Sequence, residues 1–189
     1  MNRLHLLGGL VGLAILCAGC GGSSALDNET VPVFLTVEIR EYNPEVNLCT
    51  AGGPNGGADL TIADMVVQSQ PKDPGGTLTA NQDVTLTEWE VSPRRTDGGT
   101  VVSPDWVNPV GVYVAAGGQA ALENYRVYPN EYLSHSPFIY LLPENGGVDP
   151  ETGEIIIRES LRLVLHGRTV SGEPISTEST LVAFRFFCN

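Results

Sequence analysis

The sequence predicts a single all-β domain, built as a two-sheet Greek-key β-sandwich of about seven or more strands. Short runs of residues alternate between apolar and polar side chains, which is typical of strands with one buried face. Clusters rich in glycine, asparagine and proline separate these runs. No stretch of the chain after residue 20 shows the long apolar stripe of an amphipathic helix.

The strand-like runs follow one another from residue 33 onwards. In 33–40, one face is formed by Val33, Leu35, Val37 and Ile39 and the other by Phe34, Thr36, Glu38 and Arg40. The next runs cover 60–68 and 84–91, and in the latter Thr85, Thr87, Trp89 and Val91 alternate with Leu86, Glu88 and Glu90. Shorter apolar runs follow at 110–115 and 155–157. The predicted turns are Asn55-Gly56-Gly57, Asp97-Gly98-Gly99 and Asn145-Gly146-Gly147.

The C-terminal residues form the clearest predicted hairpin. One apolar face consists of Leu161, Leu163 and Leu165, its partner of Val182, Phe184 and Phe186, and Gly172-Glu173-Pro174 lies in the connection. The stretch from His166-Gly167-Arg168-Thr169 through Ser171-Gly172-Glu173 resembles the closing hairpin of immunoglobulin-like and fibronectin type III-like domains in bacterial lipoproteins. This resemblance implies an immunoglobulin-like sandwich over 33–189. It carries no catalytic residue over, because such domains have many unrelated roles.

The N-terminus has the pattern of an export signal. Arg3 gives a positive start, an apolar run covers 6–16, and Ala18-Gly19 precedes Cys20. This pattern resembles the lipobox of bacterial lipoproteins, which implies a signal peptide at 1–19 and lipid on Cys20. Cys17 stands where the family prefers leucine. The alternative is an ordinary secretory signal that leaves Cys20 as a free thiol.

Resemblance to lipoproteins also implies a destination. Inner-membrane lipoproteins usually carry aspartate after the acylated cysteine, whereas this chain has Gly21. We therefore expect an outer-membrane lipid anchor, on either the periplasmic or the surface side. Residues 20–32 are small and polar and predict a flexible tether with a reach of roughly 20 Å.

Two further cysteines, Cys49 and Cys188, remain in the exported chain. Disulfides persist outside the cytoplasm, so we predict a bond between them. Closing so long a loop is worth roughly 4–5 kcal/mol in the chain-entropy model. In an immunoglobulin-like sandwich the first and last strands commonly run parallel and side by side. Their C-terminal ends, near Cys49 and Cys188, would then lie at the same end of the sandwich. Two free thiols or a metal pair are the alternatives.

The charge excludes one class of partner. The chain has 22 acidic and 10 basic side chains and a net charge of −12. Removal of residues 1–19, which contain Arg3, leaves nine basic side chains and a net charge of −13. Nucleic-acid binding needs clustered lysine and arginine, so we expect no nucleic-acid partner.

Catalytic motifs are weak. Ser69 and Lys72 have the Ser-x-x-Lys spacing of acyl-enzyme hydrolases, but Pro71 opposes the helix that this motif needs. The histidines His135 and His166 have no second ligand at a suitable spacing for zinc. We therefore predict no enzyme, no cofactor and no catalytic residue.

Two segments could bind a ligand. The acidic loop near 144–154 offers Asp149, Glu151 and Glu154 as calcium ligands, although solvated turns explain the same residues. The aromatic segment 124–140 could present a recognition surface, or its rings could pack over the end of the sandwich. Its members are Tyr125, Tyr128, Tyr132, Phe138 and Tyr140.

These features favour a non-catalytic, lipid-anchored interaction or assembly module that binds an envelope protein. A ligand-binding lipoprotein for glycan or calcium is the alternative, and a hydrolase is the third class.

Overall fold

The computed structural model describes residues 30–50 and 60–189, which are mostly β-strand. The strands of this part are β1 (Val33–Tyr42), β2 (Glu45–Asn47), β3 (Leu60–Pro71), β4 (Val84–Arg95), β5 (Trp106–Val114), β6 (Gln119–Tyr128), β7 (Ile156–Thr169), β8 (Pro174–Ser176) and β9 (Thr180–Phe187). A short helix, α1 (Asn130–Leu133), and 3-10 turns at Ala80–Gln82, Phe138–Leu141 and Pro143–Asn145 lie in the connections. None of these helices is long and apolar enough to cross a bilayer.

The strands form two sheets that pack face to face around one core. The smaller sheet has the order β1-β3-β6, and the larger has the order β2-β9-β7-β4-β5, with β8 beside the end of β7. After the β4–β5 hairpin the chain crosses to β6, and a long connection then returns β7 to the side of β4. This is a Greek-key path. The predicted immunoglobulin-like Greek-key β-sandwich is confirmed.

A β-bulge between Leu86 and Glu88 corrects the predicted pattern of β4. Leu86 is buried before the bulge and Trp89 after it, so the inward positions change from even to odd numbers. The predicted alternation placed Thr85 and Thr87 on the face of Trp89. It is wrong because a strict period of two has no place for the extra residue.

Two other strand predictions need correction. Residues 119–128 form β6, which the sequence did not indicate, since the polar Glu123 and Asn124 interrupt the alternation. The backbone at Asn124 has a positive φ of 52°. The runs 155–157 and 161–165 belong largely to the single strand β7. In the sequence the charged Glu159 separates the two apolar runs. In the structure its side chain points inward and is 1% exposed.

The predicted disulfide between Cys49 and Cys188 is confirmed, with a Cα–Cα distance of 5.1 Å. The parallel pair that brings the cysteines together is β2 and β9, so the short β2 and not β1 supplies the geometry. The bond joins the two chain segments that follow these parallel strands.

Val31, near the start of the described residues, is 1% exposed and belongs to the core. The backbone amide of Lys72 also donates a hydrogen bond to the Pro32 carbonyl at 2.9 Å. The last two residues of the predicted tether therefore belong to the folded domain, while 20–29 lie outside the described residues.

Candidate binding surface

Four arginines share one half of the outer face of the larger sheet. Inward positions of β7 carry Ile157, Glu159 and Leu161, so Arg158 and Arg162 point outward. Arg94 from β4 and Arg185 from β9 are exposed on the same side. We call Arg94, Arg158, Arg162 and Arg185 the arginine face.

The strand register places these arginines in three adjacent rows. One row pairs Arg158 with Arg185, the next runs Arg94–Ser160–Ala183, and the third runs Ser92–Arg162–Leu181. Side chains directly opposite each other have Cβ atoms about 4.5–5.5 Å apart. The middle row contains two short side chains, Ser160 and Ala183. The long arginine side chains therefore surround a lower central area of the surface.

A shallow depression of about 610 Å³ lies on the β4 side of this face. Arg94 and Arg162 border it, and Ser92, Ser160 and Leu181 also line it. Leu181 is 68% exposed. The surface therefore combines guanidinium groups with an exposed apolar side chain, and it is open to a ligand approaching from solvent.

The four arginines differ in their ion pairs. Arg185 is bonded to Glu45 at 2.6 Å, and Arg162 lies 3.8 Å from Glu90. Within the described ranges, Arg94 and Arg158 have no ion-pair partner. The face thus keeps two guanidinium groups that can each take a carboxylate or phosphate as a bidentate partner.

A buried polar cluster of Arg95, Asp97 and Asp149 lies at the pole where β4 ends. Arg95 donates from Nε and Nη2 to both oxygens of Asp97, at 2.7 and 2.9 Å, and from Nη2 to Asp149 at 2.8 Å. These side chains are only 1–2% exposed. Asp97 and Asp149 lie in two different loops, and Arg95 bonds to both of them. These bonds hold the backbone that follows Arg94 in place.

This cluster lowers the pKa of both aspartates. Burial raises the pKa of Asp97, but hydrogen bonds from Arg95 and from the backbone amides of Arg158 and Gly99 outweigh it. Burial likewise opposes the lowered pKa of Asp149, where Arg95 and Thr152 donate hydrogen bonds. Both carboxylates therefore stay charged and hold the arginine.

Glu159 is a third buried carboxyl group at this end of the sandwich. It lies opposite Arg95 in the ladder, but neither of its oxygens has a hydrogen-bond partner among the described residues. Burial raises the pKa of Glu159 to about 7. Its neutral form is therefore the one that the interior favours.

A chain of hydrogen bonds links Glu90, His166 and Ser176 farther along the outer face. His166 Nε2 lies 3.0 Å from Glu90 Oε2, and Nδ1 lies 2.7 Å from Ser176 Oγ. A serine, a histidine and a carboxylate in this order resemble a nucleophile, its base and the group that orients the base. Ser176 is only 2% exposed, however, so a substrate cannot approach its hydroxyl, and the contacts join β8 to β7.

The aromatic segment 124–140 does not form a continuous exposed row. Tyr128 and Phe138 are fully buried, with ring centroids 6.0 Å apart. Tyr125 packs against Trp89 and Tyr132 against Tyr128, whereas Tyr140 is 38% exposed. Because β6 directs Tyr128 inward, packing over the end of the sandwich accounts for most of these rings.

Two of the three candidate calcium ligands, Asp149 and Glu151, bond to partners within the domain. The Asp149 carboxylate is bonded to Arg95, and Glu151 accepts hydrogen bonds from the amides of Thr100 and Val101 at 2.8 Å. Glu154 is exposed. In residues 30–50 and 60–189 no three His, Cys, Asp or Glu side chains come together in a way that could hold a metal ion.

Three further residues named from the sequence are Cys20, Ser69 and His135. Cys20 lies outside the described residues. Ser69 is 2% exposed at the end of β3, so its spacing to Lys72 does not create a reachable nucleophile. His135 contacts the Glu131 carbonyl at 2.6 Å beside α1.

The arginine face was not predicted, although the sequence contains a signal for it. Arg158 and Arg162 share the outward parity of β7, and Arg185 alternates with Phe184 and Phe186 in β9. The pairing of these strands, which only the structure gives, was needed to bring the arginines together.

Comparisons of the chain with protein-family models and with curated proteins find no match in either set.

Proposed function

We propose that the protein is a non-catalytic binding module held at the outer membrane by lipid on Cys20. The arginine face is the observation that supports a binding role. It exposes an open depression and two arginines that form no ion pair within residues 30–50 and 60–189, in a chain whose net charge is −12. A surface that departs so far in charge from the rest of the chain is suited to a specific acidic partner.

Anchoring rests on the N-terminal sequence. Ala18-Gly19-Cys20 resembles a lipobox, and the tether that follows is short, so the sandwich would stay close to the membrane. The proposed role is to present the sandwich to another protein of the cell envelope.

The test compares the full chain with its Cys20→Ser variant in the native host. Radiolabelled palmitate and membrane fractionation report the lipid, and affinity purification after gentle cross-linking, read by mass spectrometry, reports partners. We expect the native chain to carry label, to sediment with outer membrane and to retain one protein at stoichiometric yield. Equal membrane association of Cys20→Ser would contradict the anchor. Failure to retain any protein would contradict the binding role.

A further inference from the structure

The arginine face contains a like-charge pair that the fold alone does not explain. Arg158 and Arg185 are directly opposite each other on neighbouring strands. Opposed like charges destabilise a sheet. Glu45 compensates Arg185, but Arg158 has no ion-pair partner among the described residues. Departures from such local rules concentrate at functional sites.

Apolar side chains lie at both ends of this surface. Leu181 is 68% exposed at one end, while Ile155, 62% exposed, lies at the other beside the half-buried Phe187. Leu181 and Phe187 are six positions apart along β9, which is about 20 Å. The surface therefore has cationic groups in its centre and apolar groups at its ends.

This layout selects one class of occupant. A free phosphate or an anionic glycan would satisfy the arginines but has no apolar side chains for Leu181 and Ile155. A polypeptide can provide both, and an extended segment of about six or seven residues spans 20 Å. Hydrophobic contacts then add to the charge complementarity that orients the partner.

We propose that the arginine face binds an acidic polypeptide segment whose carboxylates pair with Arg94 and Arg158 and whose apolar side chains contact Leu181 and Ile155. This inference rests on the proposed function, because it assigns the partner class of that same surface. Arg162 and Arg185, already paired with glutamates, border the segment.

A defined peptide tests the assignment without knowledge of the native partner. The probe is fluorescein-labelled Gly-Leu-Asp-Ser-Glu-Ser-Glu-Leu-Gly, titrated with the full chain in non-ionic detergent and followed by fluorescence anisotropy. We expect saturable binding that weakens with added salt. The double substitution Arg94→Glu/Arg158→Glu should weaken binding at least ~10-fold. Arg40→Glu/Lys72→Glu makes the same change in net charge elsewhere and should stay within about twofold of the native chain.

A second pair of variants tests the apolar contact. Leu181→Ser should weaken peptide binding by about 5-fold or more, whereas Val170→Ser, at a similarly exposed position outside the face, should have no effect. Absence of binding at millimolar concentrations of the full chain, or an unchanged curve for the double arginine variant, would overturn the proposal. Equal binding of oligogalacturonate, or of a peptide with serine in place of both leucines, would overturn it in favour of simple anion binding.

The peptide result and the cross-linking result can be separated. Retention of an envelope protein by the native chain and by Arg94→Glu/Arg158→Glu alike would uphold the proposed binding role while excluding this face. Peptide binding without any retained envelope protein would uphold the surface chemistry and contradict the proposed role.

Discussion

Glu159 faces Arg95 across the β4–β7 ladder, yet the Arg95 guanidinium binds Asp97 and Asp149 instead. The arginine thus stabilises two carboxylates and leaves the third without a hydrogen-bond partner among the described residues. The two kinds of carboxyl group respond to pH in opposite directions.

Glu159→Gln should stabilise the protein at alkaline pH. Burial raises the folded-state pKa of Glu159 from 4.5 to about 7, so the unfolded chain loses this proton first as the pH rises. The contribution of Glu159 to the free energy of unfolding therefore falls by up to about 3 kcal/mol as the pH rises from the unfolded-state pKa to the folded-state pKa. Above the folded-state pKa this contribution is constant. Urea unfolding should give similar free energies for variant and native chain near pH 4.5 and a gain for the variant at pH 8. The exposed Glu123→Gln should follow the native profile, and equal stability of Glu159→Gln and native chain at pH 8 would contradict the prediction.

Arg95→Met should destabilise the protein at neutral pH by about 3–5 kcal/mol, because it leaves Asp97 and Asp149 buried without their cation. Their folded-state pKa values lie below 3.8, so the stabilisation is present above that pH and is lost as the pH falls through the folded values. Chemical denaturation at pH 7 measures the loss. Arg94→Met, one residue away and exposed, should change stability by less than about 0.5 kcal/mol. A similar result for both variants would show that the cluster is not a stabilising element.

Cys49→Ser/Cys188→Ser should lower the free energy of unfolding by about 2–5 kcal/mol. The bond closes a sequence separation of 139 residues, so its loss releases much conformational entropy in the unfolded chain. Thermal unfolding of the double variant, compared with the native chain with and without reductant, checks this. A native chain whose midpoint is unaffected by full reduction would contradict it.

Gly167→Ala should destabilise the sandwich by about 1–3 kcal/mol. A Cβ at Gly167 would lie 2.2 Å from the Thr85 carbonyl oxygen and 2.8 Å from the Leu86 Cα, so backbone must move. Gly111→Ala on β5 is the matched control, because nothing lies within 4 Å of its added Cβ. Denaturant midpoints should separate the two variants clearly, and equal midpoints would argue against close packing at the bulge.

Much of the fold could be predicted because alternation and turn chemistry are local. The strand at 33–40 and the apolar faces of β7 and β9 follow directly from period-two patterns. The bulge in β4 could not be predicted, since an extra residue changes the parity without changing composition. Strand β6 escaped notice because its exposed positions include Glu123 and Asn124 and its inward position 120 is the small Ala120.

The candidate site was harder to predict for a different reason. The arginine face depends on side-by-side pairing of β4, β7 and β9, which are distant in sequence, and alternation alone does not specify which strands are neighbours. Aromatic density around 124–140 could not by itself distinguish a recognition surface from packing, because large rings also fill the end of a sandwich. Tyr128 and Phe138 illustrate this.

The Cys49–Cys188 bond gives mechanical force a short covalent route. In a chain held by its N-terminus and pulled by a ligand on β9, tension passes from Val31 to Cys49, crosses the sulfur atoms and enters β9 directly. Along the covalent chain this route bypasses residues 50–179, so tension enters the ligand-bearing sheet through β9. Tension along this route would act first on β1 and β2.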